Sequence, residues 1–475
     1  MNLRYFFLLP FLLFFLFYIG KLITGTPLIV IAVACALAIG LITFQNPKNG
    51  LIVLVFSMLL SPQLILLDIP GRPLTVRIDD LLIIVVFIAW LGHIGITKDW
   101  KGFVKTDLDF PIVLLLILYV LGTSRGILFG TVANPLKALF FTLKYVEYYI
   151  LYWLAANLID SKEVIKKCLI AGVITLVAVT IYAYSQFGDP GGVAAPFDWG
   201  GREPASLGGY YLIIYAVIFA FLLHAESIKQ RMLSFALILF LLPPFVKTLS
   251  RASYLAFFPM ILTMLLLTRK GKTMLGGMLL LGVLIFPIVF HGLYSDMTRR
   301  VMITFTGTHD ENFQSYRVGS AKISDQSALE RIKSWRWVVS ERFARNPLNM
   351  LIGSGVTGLG FIEGQFFLVL GETGILGAVI FYWILFRIFR ISYRIYRSSS
   401  ETIPQSVSLA AAASVVGLLF QSLTTNTFII VRIMEPFWFL VALAMIMPDI
   451  FAGSGISADG TLQPAPAIVA APHGP

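Results

Sequence analysis

Long apolar runs separated by short polar connections make up this chain as far as about residue 450. A helix needs about 20 apolar residues to cross a bilayer, and lipid cannot satisfy open backbone groups, so each run predicts a transmembrane helix. The shortest two runs also fit re-entrant segments. Fourteen runs follow this pattern: 5–20, 27–44, 51–67, 79–96, 110–128, 136–158, 164–186, 208–224, 232–248, 253–268, 274–291, 365–386, 404–424 and 429–449.

The pattern predicts an all-α polytopic membrane protein with about 12–14 transmembrane helices and one large external loop containing amphipathic helices. An N-terminal transmembrane bundle covers 1–291, and the external loop covers 292–362. C-terminal transmembrane helices follow over 363–450. The Pro-, Ala- and Gly-rich remainder, 451–475, is predicted to be a disordered cytoplasmic tail.

The composition agrees with a membrane protein, since 58% of the 475 residues are hydrophobic and only 13% are charged. In a soluble domain about a quarter of the residues are charged. The N-terminus resembles a signal peptide, but no small-residue cleavage site follows, and a second apolar run begins at Pro27. A retained first helix is therefore predicted. Cys35 and Cys168 lie in separate apolar runs and indicate neither a disulfide framework nor a metal site.

The net charge of +11 would suggest a nucleic-acid partner for a soluble protein. In a membrane protein, Lys and Arg instead collect on the cytoplasmic side. With the N-terminus inside, the inner short loops hold seventeen Lys and Arg and the outer ones five. This count predicts that both termini are cytoplasmic, that the large loop is external, and that no nucleic acid is bound.

Several cations fall on the predicted outer face. Charges at membrane depth are costly and are usually functional or paired. Lys144 has a possible partner in Glu147, three residues on, and Arg125 ends an apolar run from which it can extend to water. Arg202 lies in an external loop. Arg251 lies between two apolar runs with no acid nearby in sequence, and is the sharper candidate for binding an anion.

A helix is predicted over 328–345, with an apolar face and a neighbouring cationic stripe. Its arginines suit either lipid headgroups or, for Arg331, a lipid-linked diphosphate, because guanidinium binds phosphate oxygens in a bidentate manner. The apolar face would rest on the bilayer or the bundle and contains Leu329, Ile332, Trp335, Val339 and Phe343. The stripe contains Arg331, Trp335, Val338 and Arg342.

Glu363 stands where the chain re-enters the membrane. It is either a general base or a solvated carboxylate at a helix start, and as a base we expect it within one side chain's reach of Arg251 or Arg331. The preceding glycine-rich piece, 353–360, lacks a P-loop lysine and predicts a flexible turn. Glu372, inside the next apolar run, should be paired or structural.

His291 and His309 are alternative bases on the external side. The chain contains no HExxH motif, acidic metal-ligand cluster or nucleotide fingerprint, so neither a metal nor another cofactor is predicted.

Three short patterns combine in the C-terminal half. One is Ser-Arg-Ala over 250–252. The second is Arg331-x-x-x-Trp335 before Asn-Pro at 346–347 and the glycines at 353 and 355. The third ends in Gly374-x-x-Gly377, with Glu363 eleven positions before Gly374 and Glu372 two before it. Together they resemble the O-antigen ligase and O-antigen polymerase superfamily of bacterial envelope glycosyltransferases over roughly 240–390.

The resemblance implies a GT-C-like enzyme of the bacterial inner membrane, without metal or other cofactor. Its partners would be a polyprenyl-diphosphate-linked glycan donor, a glycan acceptor, the bilayer and other polysaccharide assembly proteins. Arg251 and Arg331 would hold the diphosphate, with Arg202 and Arg125 as further cations. Trp335, Gln365, Gly374 and Gly377 would support the site.

Ligases of this superfamily carry His-Asn where this chain has Glu363 followed by Gly364. The difference favours a polymerase, with Glu363 as the predicted catalytic base. Transfer to a terminal acceptor, as in a ligase, stays the nearest alternative. A flippase or other transporter of lipid-linked oligosaccharide is the alternative from another class, and would be expected to line a central path with charge.

Overall fold

The computed structural model describes residues 37–67, 74–98, 103–189, 191–197, 203–306, 316–318, 321–323, 326–343, 346–360 and 362–451. The predicted run 5–20, most of the run 27–44 and nearly all of the predicted tail lie outside these residues. In chain order the helices are α1 (Pro47–Leu60), α2 (Ile78–Thr97), α3 (Asp109–Leu128), α4 (Pro135–Leu158), α5 (Lys162–Ser185), α6 (Pro204–Leu223), α7 (Ile228–Lys247), α8 (Arg251–Leu267), α9 (Lys272–Val289), α10 (His291–Thr306), α11 (Gln326–Trp337), α12 (Pro347–Ile352), α13 (Gln365–Ser398), α14 (Thr402–Gln421) and α15 (Val431–Ile450).

The described residues contain nine helices that are long and apolar enough to cross a membrane, namely α2, α3, α5, α6, α7, α9, α13, α14 and α15. Two shorter apolar helices, α1 and α8, accompany them. Helix α4 has 24 residues and carries charged side chains in its first half. The chain is therefore an all-α polytopic membrane protein, which confirms the predicted fold class.

Two short antiparallel hairpins were not predicted. Strands β1 (Gln63–Leu67) and β2 (Leu74–Arg77) form the first, and β3 (Tyr316–Val318) and β4 (Ala321–Ile323) form the second. The first hairpin corrects the predicted run 51–67, because α1 ends at Leu60 and the rest of the run is β1. Ser61 is extended, as expected for a residue before proline. With 14 residues, α1 is about 21 Å long, shorter than a typical hydrocarbon core.

Ion pairs and hydrogen bonds define two opposite ends of the bundle. At the Asp160 end, Lys48 pairs with Asp160 at 2.7 Å and Lys162 pairs with Glu401 at 3.0 Å. These contacts join the starts of α1, α5 and α14 to the end of α4. Because the helices alternate in direction, α2, α4, α6, α8, α13 and α15 begin at the other end, which we call the Glu363 end.

Helices α6, α14 and α15 form the centre of the bundle, with most of their residues buried. Helix α9 is peripheral, because Leu275 is its only buried residue, and large apolar side chains such as Leu280 and Val283 are more than half exposed. An apolar helix exposed in this way suits contact with lipid rather than with water.

Candidate functional site

Arg331 and Glu363 meet at the Glu363 end, just before α13 begins. Nε of Arg331 donates to a Glu363 carboxylate oxygen and forms an ion pair. The Arg331 side chain is 20% exposed and the Glu363 side chain 36%. One turn along α11, the indole N–H of Trp335 donates to the Glu363 carbonyl at 2.5 Å. Helix α11 therefore holds both the side chain and the backbone of Glu363, and the expectation that Glu363 lies within reach of Arg331 is confirmed.

Close packing around Trp335 fixes this arrangement. Its indole ring stacks on Phe367, with centroids 4.8 Å apart and planes 13° from parallel. Gly364 has φ +107°, and a Cβ there would lie 2.8 Å from Trp335 Nε1. Only glycine accepts both this backbone conformation and this contact. The indole and the backbone conformation thus both require glycine at position 364.

The predicted helix over 328–345 is observed as α11 followed by a π-helical turn, Val338–Phe343. The extra residue in a π-turn shifts the faces of a helix. Val338 is fully buried beside Leu359 and Ile362, whereas Val339 is 42% exposed. Val339 therefore does not pack on the bundle, and the stripe through Arg331, Trp335 and Val338 faces the protein; contact of Val339 with the bilayer stays a prediction.

Gln365 joins the start of α13 to the segment between α14 and α15. Its backbone N–H donates to the Ser422 carbonyl at 3.1 Å, and its side-chain oxygen accepts from the Phe428 N–H at 3.0 Å. Asn426 donates to the Ile362 carbonyl at 2.5 Å. Because Gln365 is 1% exposed, it supports the Glu363 turn from inside the protein.

Gly374 breaks α13 at a point where the glycine-rich turn replaces the lost hydrogen bonds. Its φ/ψ of 67°/−167° is non-helical, and the N–H groups of Ser354 and Gly355 donate to the carbonyls of Gly371 and Glu372 at 2.8 and 3.0 Å. A Cβ on Gly374 would overlap the Leu351 carbonyl. Residues 353–360 do form the predicted turn, but this turn is closely packed against α13, which corrects the expectation of a flexible one.

Glu372 is structural, as expected. It is 4% exposed, and its carboxylate accepts from the Tyr145 hydroxyl at 3.2 Å and from the Thr357 N–H at 3.0 Å. Gly377 lies one turn further along α13, where a Cβ would overlap the Thr373 side chain. Both positions therefore support the kink.

Arg125 contacts the same turn. Its Nη1 donates to the Gly353 carbonyl at 2.7 Å, and its guanidinium lies 5.6 Å from the Phe129 ring centroid. This contact, between residues 228 positions apart, gives Arg125 a structural role that its sequence context did not reveal. Its predicted role in binding a diphosphate stays a prediction.

Arg251 is the first residue of α8 and is connected indirectly to the Glu363 turn. The hydroxyl of Ser253 accepts from Gln421 at 2.9 Å, and the next residue, Ser422, accepts from Gln365. Two adjacent residues of α14's end thus join the turns that carry Arg251 and Glu363. Arg202 and His309 lie outside the described residues. His291 begins α10 and is exposed.

A second group of charges at this end was not predicted as a site. Asp79 and Arg77 pair at 2.5 Å, and Lys144 pairs with Asp80 and, at 3.4 Å, with Glu147. The predicted Lys144–Glu147 contact is thus confirmed, with Asp80 as an additional partner. The group, which we call the buried charge cluster, comprises Arg77, Asp79, Asp80, Lys144, Glu147 and Glu435, each at most 9% exposed.

The Arg77 guanidinium, just before α2, shows the electrostatics of this cluster. Burial alone would lower its pKa, but the fields of Asp79, Glu435 and Asp80 raise the pKa above its ordinary value, so Arg77 stays charged. It also donates to the Met58 carbonyl at 2.7 Å. The sequence feature that could have indicated this cluster is Glu435, a carboxylate inside an apolar run.

The described part of the chain contains no group of three or more His, Cys, Asp or Glu side chains arranged to hold a metal ion. Comparisons with protein-family models and with curated proteins find no match to this chain.

Proposed function

We propose that this chain is a bacterial inner-membrane glycosyltransferase that polymerises or transfers polyprenyl-diphosphate-linked glycan units on the outer face of the membrane. The observation that carries the proposal is the Arg331–Glu363 pair. It joins a phosphate-binding group to a proton-accepting group, partly exposed, at the start of a membrane-spanning helix. In the proposed reaction, the donor and the lipid-linked acceptor are both anchored in the membrane, so the site must lie near the end of a membrane-spanning helix.

In the proposed reaction, Glu363 accepts the proton of the acceptor hydroxyl as the oxygen attacks the anomeric carbon of the donor. The bond from that carbon to the diphosphate oxygen breaks, and the diphosphate leaves with its electrons. Among the described residues, Arg331 uses only Nε in its contact with Glu363. Its Nη groups therefore remain to bind the diphosphate, together with Arg251.

Polymerisation is favoured over transfer to a terminal acceptor by the Glu363–Gly364 sequence alone. A second candidate function, a transporter of lipid-linked oligosaccharide, is favoured by the buried charge cluster, since charges inside a bundle often mark transport paths. Vesicles distinguish the two functions. An enzyme forms polymer with both substrates on one face, whereas a transporter moves lipid-linked glycan across without lengthening it.

The test of the proposal uses purified full-length protein in vesicles with polyprenyl-diphosphate-linked repeat units. Arg331→Ala and Arg251→Ala should each reduce polymer yield far more than Arg394→Ala, a control on the exposed side of α13 near the Asp160 end. Arg→Lys at either position should restore activity only partly, because an ammonium cannot bind a phosphate in the bidentate manner. Full activity of both alanine variants would refute the assignment.

The proposed orientation has its own test. In a variant without Cys35 and Cys168, Ser340→Cys should react with a membrane-impermeant reagent added to intact cells, and Ser400→Cys should not. Both side chains are exposed, at the Glu363 and Asp160 ends respectively. The reverse labelling would place the Glu363 end in the cytoplasm and exclude an external donor site.

A further inference from the structure

The buried charge cluster contains more negative than positive groups. Four carboxyl groups (Asp79, Asp80, Glu147 and Glu435) face two cations (Arg77 and Lys144). If all were ionised, two negative charges would lie uncompensated inside the bundle. Such charges are costly without partners, and buried carboxyl groups commonly become neutral instead.

The contacts divide the cluster into two similar halves. In one, Arg77 pairs with Asp79, and the Asp79 and Glu435 carboxyl groups act on each other electrostatically. In the other, Lys144 pairs with Asp80, and the Asp80 and Glu147 carboxyl groups do the same. Each half therefore has one cation and two interacting carboxyl groups.

Glu435 gives the clearest indication of a missing ligand. It is fully buried in the first turn of α15, and neither of its carboxyl oxygens accepts a hydrogen bond from a donor among the described residues. The charged groups that act on it are Asp79, Arg77, Glu147 and Asp80. Arg432, one turn earlier, donates to the Pro196 carbonyl at 2.7 Å.

We propose that the buried charge cluster is a proton-binding site that holds two protons, one between Asp79 and Glu435 and one between Asp80 and Glu147. One proton in each pair allows a carboxyl–carboxyl hydrogen bond, since two ionised carboxylates in contact repel. Each half then consists of one cation, one carboxylate and one carboxylic acid, and is neutral.

The two protons would affect how three helices pack. The Asp79–Glu435 proton lies between α2 and α15, and the Asp80–Glu147 proton lies between α2 and α4. Loss of either proton leaves like charges facing each other between two helices. The site is separate from the Arg331–Glu363 pair, and it does not depend on the proposed glycosyl transfer.

Infrared spectroscopy of the purified full-length protein at neutral pH tests the proposal, because a protonated carboxyl group has its own C=O band that shifts in D₂O. The wild type should show two such components from the cluster. Glu435→Gln and Glu147→Gln should each remove one, and either variant suffices if the other does not fold. Glu163→Gln, in an exposed pair with Lys167, is the matched control and should remove none.

Thermal unfolding gives a second readout. A folded protein that holds extra protons loses stability as pH rises, since the unfolded carboxyl groups release theirs at about pH 4. Glu435→Gln should reduce this alkaline loss. The proposal is overturned if the wild type lacks a protonated-carboxyl band, or if both Gln variants keep both components. It is also overturned if sodium or potassium ions abolish the band, which would indicate a bound cation.

Discussion

The Arg331–Glu363 pair and the buried charge cluster lie at the same end of the bundle, but the chain builds them differently. The pair joins residues 32 positions apart and is partly exposed. The cluster assembles Arg77 just before α2 with residues of α2, α4 and α15, and all of its members are buried. The two sites therefore differ in access, because the side chains of the pair are partly exposed to solvent, whereas those of the cluster are buried.

The two sites also differ in what holds them in place. Backbone geometry positions the pair, since Gly364 admits the Trp335 indole and Gly374 admits the turn that precedes Glu363. Charge balance maintains the cluster. Substitutions that add a methyl group should therefore disrupt the first site, and substitutions that remove a charge should disrupt the second.

The largest effect is expected for Gly374→Ala. The added Cβ would overlap the Leu351 carbonyl at a φ of +67°, so both steric overlap and backbone strain oppose it. We expect a loss of about 4 kcal/mol or more, enough to prevent folding. The measurement is the yield of monodisperse protein in detergent and its thermal unfolding.

Gly276→Ala is the matched control for Gly374→Ala. Gly276 lies in α9, where an added Cβ would meet nothing within 4 Å, and alanine is a better helix former than glycine by about 1 kcal/mol. This variant should be as stable as the wild type or slightly more stable. Equal stability of the two alanine variants would show that the kink is not required.

The next effect separates buried from exposed charge. Lys144→Met keeps the apolar part of the side chain but leaves Asp80 and Glu147 without their cation, which should cost about 3–5 kcal/mol. Lys48→Met removes the pair with Asp160, whose side chains are 39% and 54% exposed, and should cost less than about 1 kcal/mol. Thermal unfolding of both variants measures the difference, and similar losses would contradict a compensating role for Lys144.

The same contrast explains what the sequence could predict. Apolar runs mark the helices, because the run length required by a bilayer is a local property. The π-turn at Val338 was not predicted, since it depends on local packing. The end of α1 at Leu60 was not predicted either, since it depends on the Ser61–Pro62 sequence. The contact between Glu363 and Arg331 was one of the two contacts predicted for Glu363 from short sequence patterns. The cluster was not predicted, because Lys144 and Asp80 are 64 residues apart and only the fold brings them together.

Activity should respond most strongly at Glu363. Glu363→Gln keeps the shape of the side chain but cannot accept a proton, so turnover should fall about 100-fold while donor binding survives. Turnover and donor affinity are measured separately in vesicles. Weaker donor binding would instead assign Glu363 to orienting Arg331, which the observed ion pair also permits.

Two further variants complete this test. His291→Ala and His309→Ala should both retain activity if Glu363 is the base. Wild-type turnover in Glu363→Gln, together with loss of activity in either histidine variant, would transfer the role of base to that histidine. Glu435→Gln should leave donor binding unchanged, because the buried cluster does not contact the donor in the proposed reaction.

The smallest effect concerns His224, just after α6 at the Asp160 end, and has the opposite pH dependence to the cluster. Burial, helped by Lys270, lowers the pKa of His224 despite its hydrogen bond to the Ala220 carbonyl; Glu226 lies nearby, joined through Thr402 to the His224 carbonyl. The folded state therefore binds fewer protons than the unfolded state below about pH 6.5, so this contribution to stability is full above that pH and is lost as pH falls.

His224→Phe keeps a ring against Tyr396 and should reduce the acid loss in thermal unfolding without changing the alkaline loss. Glu435→Gln should do the reverse, and a single variant that altered both slopes would show that the two ends of the bundle do not titrate independently.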